Sequence, residues 1–271
     1  MQSSVMRIGS RNNVVYLKYK IMDCCTRYIN HAVSTRHGGV SKGEALASLN
    51  LGFNTHDTKE NVTENYERFC KATGFKSNNL VFGSQTHSTN VLYVTEDDRG
   101  KGIYREKDYT DIDALITDRP GVALVIHTAD CVPVNFVDTK NIAIGNAHCG
   151  HRGTYGELAK KTLDAMTEKF GTNPEDVICT VGPAICGMCY EVSEDLYEKF
   201  MTKFGYKDAI YKKDDKYHLD LMLINKHILE EQGVKSIAVS DLCTKCNTHD
   251  LYSHRGLGPE RGLISSVIEI R

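Results

Sequence analysis

Three side chains with soft or borderline donor atoms stand in short polar stretches beside apolar, strand-like segments: His87 in GSQTHSTN, Cys131 in HTADCVPV and His148 in GNAHCGHRG. Two imidazoles and a thiolate suit zinc, and a site with only three protein ligands leaves a fourth position open for water or substrate. Other chemistry fits the same residues. A His2Cys set is also the core of a blue-copper site, and a cysteine beside a histidine is the arrangement of a thiol nucleophile. Hydrogen-bonded histidines and one ordinary buried thiol make up the plain structural alternative. Two Cys-x-x-Cys pairs, Cys186/Cys189 and Cys243/Cys246, add a further possibility. Their facing cysteines lie 54 positions apart (243 − 189), whereas a zinc ribbon separates its pairs by about 15–20. A shared metal there requires the fold to bring the pairs together; otherwise these are buried or merely neighbouring thiols.

Such residues need rigid elements to hold them, and the apolar pattern supplies candidates. Strand-like runs occur at Val14–Tyr19, Leu80–Phe82, Val91–Val94, Ala114–Thr117, Val122–Ile126, Val132–Val137, Ile142–Asn146, Val177–Val181 and Ile237–Val239. Several are apolar throughout, as strands covered on both faces are. Helical periodicity spans Glu60–Thr73 before Gly74, Glu194–Phe204 between Ser193 and Gly205, and Leu221–Gln232 before Gly233. Thr154 and Glu157 have the spacing of a capping box ahead of Leu158, Leu163, Met166 and Phe170, with Gly171 closing that helix. The mixture predicts layered α/β structure in a single domain over residues 1–271.

Composition narrows the partner. With Lys+Arg 33 against Asp+Glu 35, the net charge of −2 gives no electrostatic footprint for nucleic acid or an anionic membrane. A small-molecule partner is expected. The first residues lack a signal-peptide pattern, and no run approaches the roughly 18 apolar residues of a membrane span. A cytoplasmic location is therefore expected, with the ten cysteines as free thiols or metal ligands rather than disulfides.

The motifs STRHGGVS (Ser34–Ser41), LNLG (Leu49–Gly52), SQTH (Ser84–His87), TADCVPV (Thr128–Val134), AHCGHRG (Ala147–Gly153) and GPAICGMCYEV (Gly182–Val192) follow one another in the order of a known family. From about Ser34 to the C-terminal ERGLISSVIEI, the chain resembles the bacterial YfiH/YlmD laccase-domain proteins and their vertebrate relative FAMIN. The resemblance implies a four-layer α/β/β/α sandwich with mixed sheets. It also implies a zinc-dependent purine nucleoside phosphorylase, acting on adenosine, inosine, guanosine and methylthioadenosine, with adenosine deaminase activity, in a monomer. The family's metal ligands fall on His87, Cys131 and His148. Its older name suggests copper, yet this chain contains no His-x-His pair of the sort that holds a three-copper cluster. Three departures touch the base pocket: His151 where the family has tryptophan, GPAIC for GPCIG, and LYSHRG at Leu251–Gly256 for FFSYRR.

Under this resemblance the family's arginine falls on Arg36, whose planar fork of donors suits phosphate. His37 stands beside it. Phosphorolysis needs an anion pocket near the ribose, to which Arg152 and the N–H groups of a helix beginning at Thr154 are further candidates. Deamination needs an activated water and a general acid/base. Asp130, next to Cys131, is a candidate for that role or for orienting a histidine. His127 and His151 flank the ligand motifs and titrate in a useful range.

Overall fold

The computed structural model describes residues 1–271. Its strands in chain order are β1 (Met6–Arg11), β2 (Val14–Tyr19), β3 (Ile29–Ser34), β4 (Leu80–Phe82), β5 (Val91–Tyr93), β6 (Ala114–Thr117), β7 (Ala123–Thr128), β8 (Val132–Asp138), β9 (Ala143–Cys149), β10 (Val177–Val181), β11 (Glu191–Val192), β12 (Ile210–Lys213), β13 (Lys216–Leu219), β14 (Ser236–Val239) and β15 (Ile264–Ile270). The helices are α1 (Lys59–Thr73), α2 (His151–Tyr155), α3 (Leu158–Phe170), α4 (Glu194–Phe204), α5 (Leu221–Glu231) and α6 (His254–Leu257). One mixed sheet runs β1-β2-β3-β15-β7-β4, a second runs β14-β10-β8-β9-β6-β5, and β11-β13-β12 form a small third. No helix is long and apolar enough to cross a membrane.

Alternation along the strands builds the layers, because successive side chains point to opposite faces. In the first sheet, Leu124 and Ile268 face the second sheet, while Val125 and Val267 face α1. In the second sheet, Leu115, Val137 and Ile144 face the first, while Ile116, Phe136 and Ala143 pack with α3 and α5. The order is therefore α1, sheet, sheet, α3 with α5: the expected four-layer arrangement.

The layer between the sheets also holds polar side chains that fix their alignment. Asn146 Nδ2 on β9 donates to the carbonyls of Leu124 (3.2 Å) and Ser266 (2.9 Å) on the opposite sheet. Asn135 Nδ2 on β8 donates to Ser266 Oγ at 3.0 Å. A slip of one residue in any of these strands would leave such groups buried without partners, at a cost of about 1–3 kcal/mol each.

The polar interior also accounts for what periodicity misses. β3 (INHAVS) and β15 (ISSVIEI) are buried along their whole length, yet their Asn, His, Ser and Glu residues break the apolar pattern. The capping-box reading of Thr154 and Glu157 is corrected as well. Glu157 takes a left-handed conformation with φ 58° and no side-chain cap, and α3 starts after it. Thr154 lies inside the separate short helix α2, fully buried, accepting a hydrogen bond from Asn225 (2.8 Å) and donating to the Cys149 carbonyl (3.2 Å). It anchors α2 to β9 and α5, and no helix N-terminus opens at Thr154.

His31 on β3 accepts the Tyr19 N–H at 2.8 Å, which requires a neutral ring. Burial first, and Lys18 second, push its pKa down to about 3. An ordinary unfolded histidine titrates near 6.5, so between pH 3 and 6.5 the unfolded chain binds the extra proton. The stability contributed by neutral His31 is complete above pH 6.5 and is lost as pH falls toward 3. Urea midpoints should fall across this window, and His31→Gln, which keeps an acceptor without titrating, should flatten the slope.

Candidate active site

β8 and β9 form an antiparallel hairpin whose register places Val132 opposite Cys149 and Pro133 opposite His148. Cys131, just before β8, and His148, at the end of β9, thus meet at one rim of the second sheet. His87 arrives from the β4–β5 loop. The three ligand atoms lie within 4.8 Å of one another, and the two imidazole centroids are 4.9 Å apart.

The residue that assembles this group is Asp113, immediately before β6 and fully buried. Its Oδ1 is 2.7 Å from His148 Nδ1 and accepts the His87 N–H at 3.1 Å. Its Oδ2 accepts the N–H groups of Thr86 (3.0 Å) and Ser88 (2.8 Å) and the Ser88 hydroxyl (2.9 Å). The His87 loop is wrapped around this carboxylate tightly enough that His87 itself has φ 66°. Gln85 fastens the same loop to β7, donating to the His127 carbonyl at 2.7 Å and accepting the His127 N–H at 2.8 Å.

The electrostatics follow from this packing. Burial works against the charged Asp113, but hydrogen bonds from His148 and the loop N–H groups outweigh it and hold the carboxyl at about 2. Burial likewise works against charging His148, yet Cys131 and Asp113 prevail and raise its pKa to about 9. The anionic surroundings thus favour a positive charge at this ring, whether a proton or a cation. A divalent ion bonded to His148 would displace that proton.

Gly150 completes the cradle. Its φ of −68° is open to any residue, but a Cβ there would stand 3.0 Å from both Cys131 Sγ and His87 Nδ1. Space for an ion, not backbone freedom, is what its hydrogen preserves. The donor set, the carboxylate that orients His148 and the cleared volume all fit a bound metal.

The three donors open into a cleft of about 670 Å³. Its lining includes the apolar side chains Phe53, Phe82 and Leu263 and the basic side chains Lys107, Arg255 and Arg261, with Asp130 the one carboxylate. Arg261 is held by the Pro259 carbonyl (3.0 Å), but its buried Nε has no partner. Burial lowers its pKa, opposed by Asp130 and then Cys131. Arg255 lies over the Tyr190 ring at 5.0 Å.

Asp130, in a left-handed conformation with φ 90°, accepts the Thr244 hydroxyl (2.6 Å) and the Arg255 N–H (2.7 Å) on its two oxygens. Both histidines that flank the ligand motifs line the cleft. His127 is half-buried and driven down to about 3, mainly by desolvation and then by Lys107, with Nε2 2.6 Å from the Tyr66 hydroxyl. His151 is lowered by partial burial and then Arg152.

The anion-binding candidates lie in four different settings. Arg36 uses Nε, Nη1 and Nη2 on the carbonyls of Ala47, Thr248 and Glu44, at 2.8, 2.7 and 2.6 Å, and is not part of the cleft lining. It braces the β3–α1 connection against the loop between β14 and α6. His37 pairs with Asp250 at 2.8 Å, Arg152 is exposed on α2, and Thr154 is buried as described. The basic residues that do face the cleft were not singled out by pattern. Lys107 stands alone in a charged loop, Arg255 lies within the LYSHRG segment, and Arg261 is 130 positions from Cys131 (261 − 131). Asp113 had one signal, an acid directly ahead of an apolar strand.

Fold and site together define a class: a four-layer α/β/β/α protein whose paired sheets present two imidazoles and a thiol to an open, cationic cleft. Residues 30–271 match the family described as multi-copper polyphenol oxidoreductase laccase, and the chain belongs to that family. It is 35% identical over 240 residues to the purine nucleoside phosphorylase of Deinococcus radiodurans, covering 89% of this chain and 88% of that one. It is 31% identical over 237 residues to adenosine deaminase RL5 from an unknown prokaryotic organism, covering 85% and 90%. The crystal structure of the Bacillus licheniformis hypothetical protein YfiH matches with a TM-score of 0.90 at 29% identity, over 99% of this chain and 100% of that one.

Two substitutions test the pocket. Asp113→Asn removes the charge that orients His148 and should weaken metal binding about 10–100-fold, the usual effect of losing a partner behind a ligand. Gly150→Ala should lower metal occupancy with little change in far-UV circular dichroism. Competition with a chromophoric chelator reads both, and unchanged occupancy in the Gly150→Ala variant would remove the cradle argument.

Proposed function

We propose that the chain is a zinc-dependent purine nucleoside phosphorylase with adenosine deaminase activity, working in the cytoplasm as a monomer on small nucleosides and phosphate. The observation that carries this reading is the cleft itself: an open His87/Cys131/His148 pocket shares one cavity with a buried arginine nitrogen that lacks a partner. The names of the Deinococcus and RL5 relatives support the two activities.

A bound metal would supply Lewis acidity at the rim. The other roles belong to the chain. Phe53, half-buried in the cleft lining, offers flat apolar surface for a purine. Arg261, with Arg255 and Lys107, would hold phosphate for attack on C1′ and offset its charge in a partly buried site. Positive charge builds on the ribose as the glycosidic bond lengthens, so the anion placed beside it stabilises that charge. Asp130, with both oxygens occupied, acts as a positioning residue that holds Arg255 and Thr244 in place. His151 is the half-buried imidazole available to exchange a proton with the base. Zinc is favoured over a copper cluster by the donors, since neither other metal-competent group, Cys186/Cys189/Cys243/Cys246 or His37/His249/Asp250, contains more than two histidines.

Chromatography of products from adenosine, with and without phosphate, tests the reading. Adenine and ribose-1-phosphate should appear only with phosphate, inosine in either case, and both should vanish in Cys131→Ser. Arg261→Met should remove a charge-assisted contact of about 1.5–3 kcal/mol, raising the phosphate KM roughly ten- to a hundredfold with a smaller change for nucleoside. An unaltered phosphate KM would take Arg261 out of the anion site.

One arrangement favours a second reading. Cys131, His148 and Asp113 are ordered as a thiol, an imidazole within 4.8 Å of it and a carboxylate 2.7 Å from ring Nδ1, which is the layout of a cysteine hydrolase. Activity that survives chelation and is abolished by alkylation would select this reading over the metal enzyme.

A further inference from the structure

We propose that Cys186, Cys189, Cys243 and Cys246 form a second zinc site, tetrahedral and structural, that staples the loop carrying the cleft residue Tyr190 to the loop carrying Thr244. The inference stands apart from the nucleoside reading, because it uses none of the cleft's ligands.

The tertiary fold removes the 54-residue separation between the two pairs. Ala184 and Cys243 form a parallel bridge, the Thr244 N–H reaches the Ala184 carbonyl at 3.1 Å, and the Cys186 N–H points at Cys243 Sγ at 3.3 Å. Each pair sits on a tight turn that turns both of its thiols the same way. In the first, the N–H groups of Cys189 and Tyr190 both close on the Cys186 carbonyl at 3.0 Å. In the second, the Asn247 N–H (3.1 Å) and its Nδ2 (2.8 Å) close on the Cys243 carbonyl.

All four sulfurs lie within 4.8 Å of one another, with Cys189 and Cys246 at 3.4 Å. A tetrahedron with zinc–sulfur bonds of about 2.3 Å places its sulfurs about 3.8 Å apart, inside that range. Four soft donors select zinc over hard cations, and four protein ligands close the coordination sphere, as in structural rather than catalytic sites. A zinc tetrathiolate carries a charge of −2, and Lys245 and Arg255 line the same surface hollow as Cys189, where they offset it. An iron–sulfur cluster, which spreads its four cysteines over two or more iron atoms, would need the thiols further apart.

The placement gives the metal a purpose. Tyr190 follows Cys189 and lines the cleft, and Thr244 follows Cys243 and holds Asp130 beside Cys131. Fixing the thiols fixes both.

The test is the zinc content of the full chain purified under reducing conditions, measured by mass spectrometry for wild type, Cys131→Ser and the double variant Cys189→Ser/Cys246→Ser. The double variant should hold one zinc fewer than wild type and melt at lower temperature. Cys131→Ser reports on the cleft site by its own separate loss, so failure of either site is distinguished from failure of the other. Cobalt substitution of wild type covers the case in which the double variant does not fold: intense sulfur-to-cobalt charge transfer, persisting in Cys131→Ser, is expected. Equal zinc content in wild type and the double variant would overturn the proposal. So would four thiols missing from the unfolded, unreduced protein without bound metal, which would mean two disulfides.

Discussion

A single buried carboxylate sets the geometry on which the candidate site depends. Asp113 gathers three consecutive loop N–H groups, a serine hydroxyl and the His148 ring. An ionised carboxylate without such partners would be too costly to bury, so the loop and the imidazole are obliged to converge on it. His87 and His148, 61 positions apart (148 − 87), are thereby brought together by satisfaction of one anion. With Cys131, the same charge raises the basicity of His148.

The paired sheets make that convergence rigid. Each is covered by helices on its outer face and by the other sheet on its inner face, and Asn135 and Asn146 lock the two through hydrogen bonds across the interior. The ligand rim lies at the end of the β8–β9 hairpin, where the backbone ladder ends and side chains can face a cleft. Aromatic and guanidinium groups share the lining of that cleft. The family's oxidase description and the phosphorylase name of the Deinococcus relative differ over chemistry. The donors present here, with one His2Cys pocket and no His-x-His pair, sit more easily with the latter.

Much of this was legible in the chain before folding. His87, Cys131 and His148 stood out as soft or borderline donors in short polar stretches beside strand-like segments and as the positions on which the family's ligands fall, and the structure brings those three together. Helices α1, α4 and α5 followed from apolar periodicity and closing glycines. β3 and β15 did not, because tertiary hydrogen bonding satisfies polar residues that local pattern places outside a core. The Thr154–Glu157 spacing matched a capping box, but a left-handed Glu157 divides the segment into two helices. Arg36 had the chemistry of an anion binder and serves instead as a brace for three carbonyls.

The sequence by itself determined the donors available, the layered fold class and the family, because these rest on residue types and short-range order along the chain. Only the tertiary structure decided which distant groups share a space. Asp113, Arg255 and Arg261 join the site, Arg36 and Thr154 leave it, and two cysteine pairs 54 residues apart become one cluster. The reason is physical: proximity across sheets is settled by satisfying buried charges and hydrogen bonds over long separations, and local spacing carries no record of those pairings.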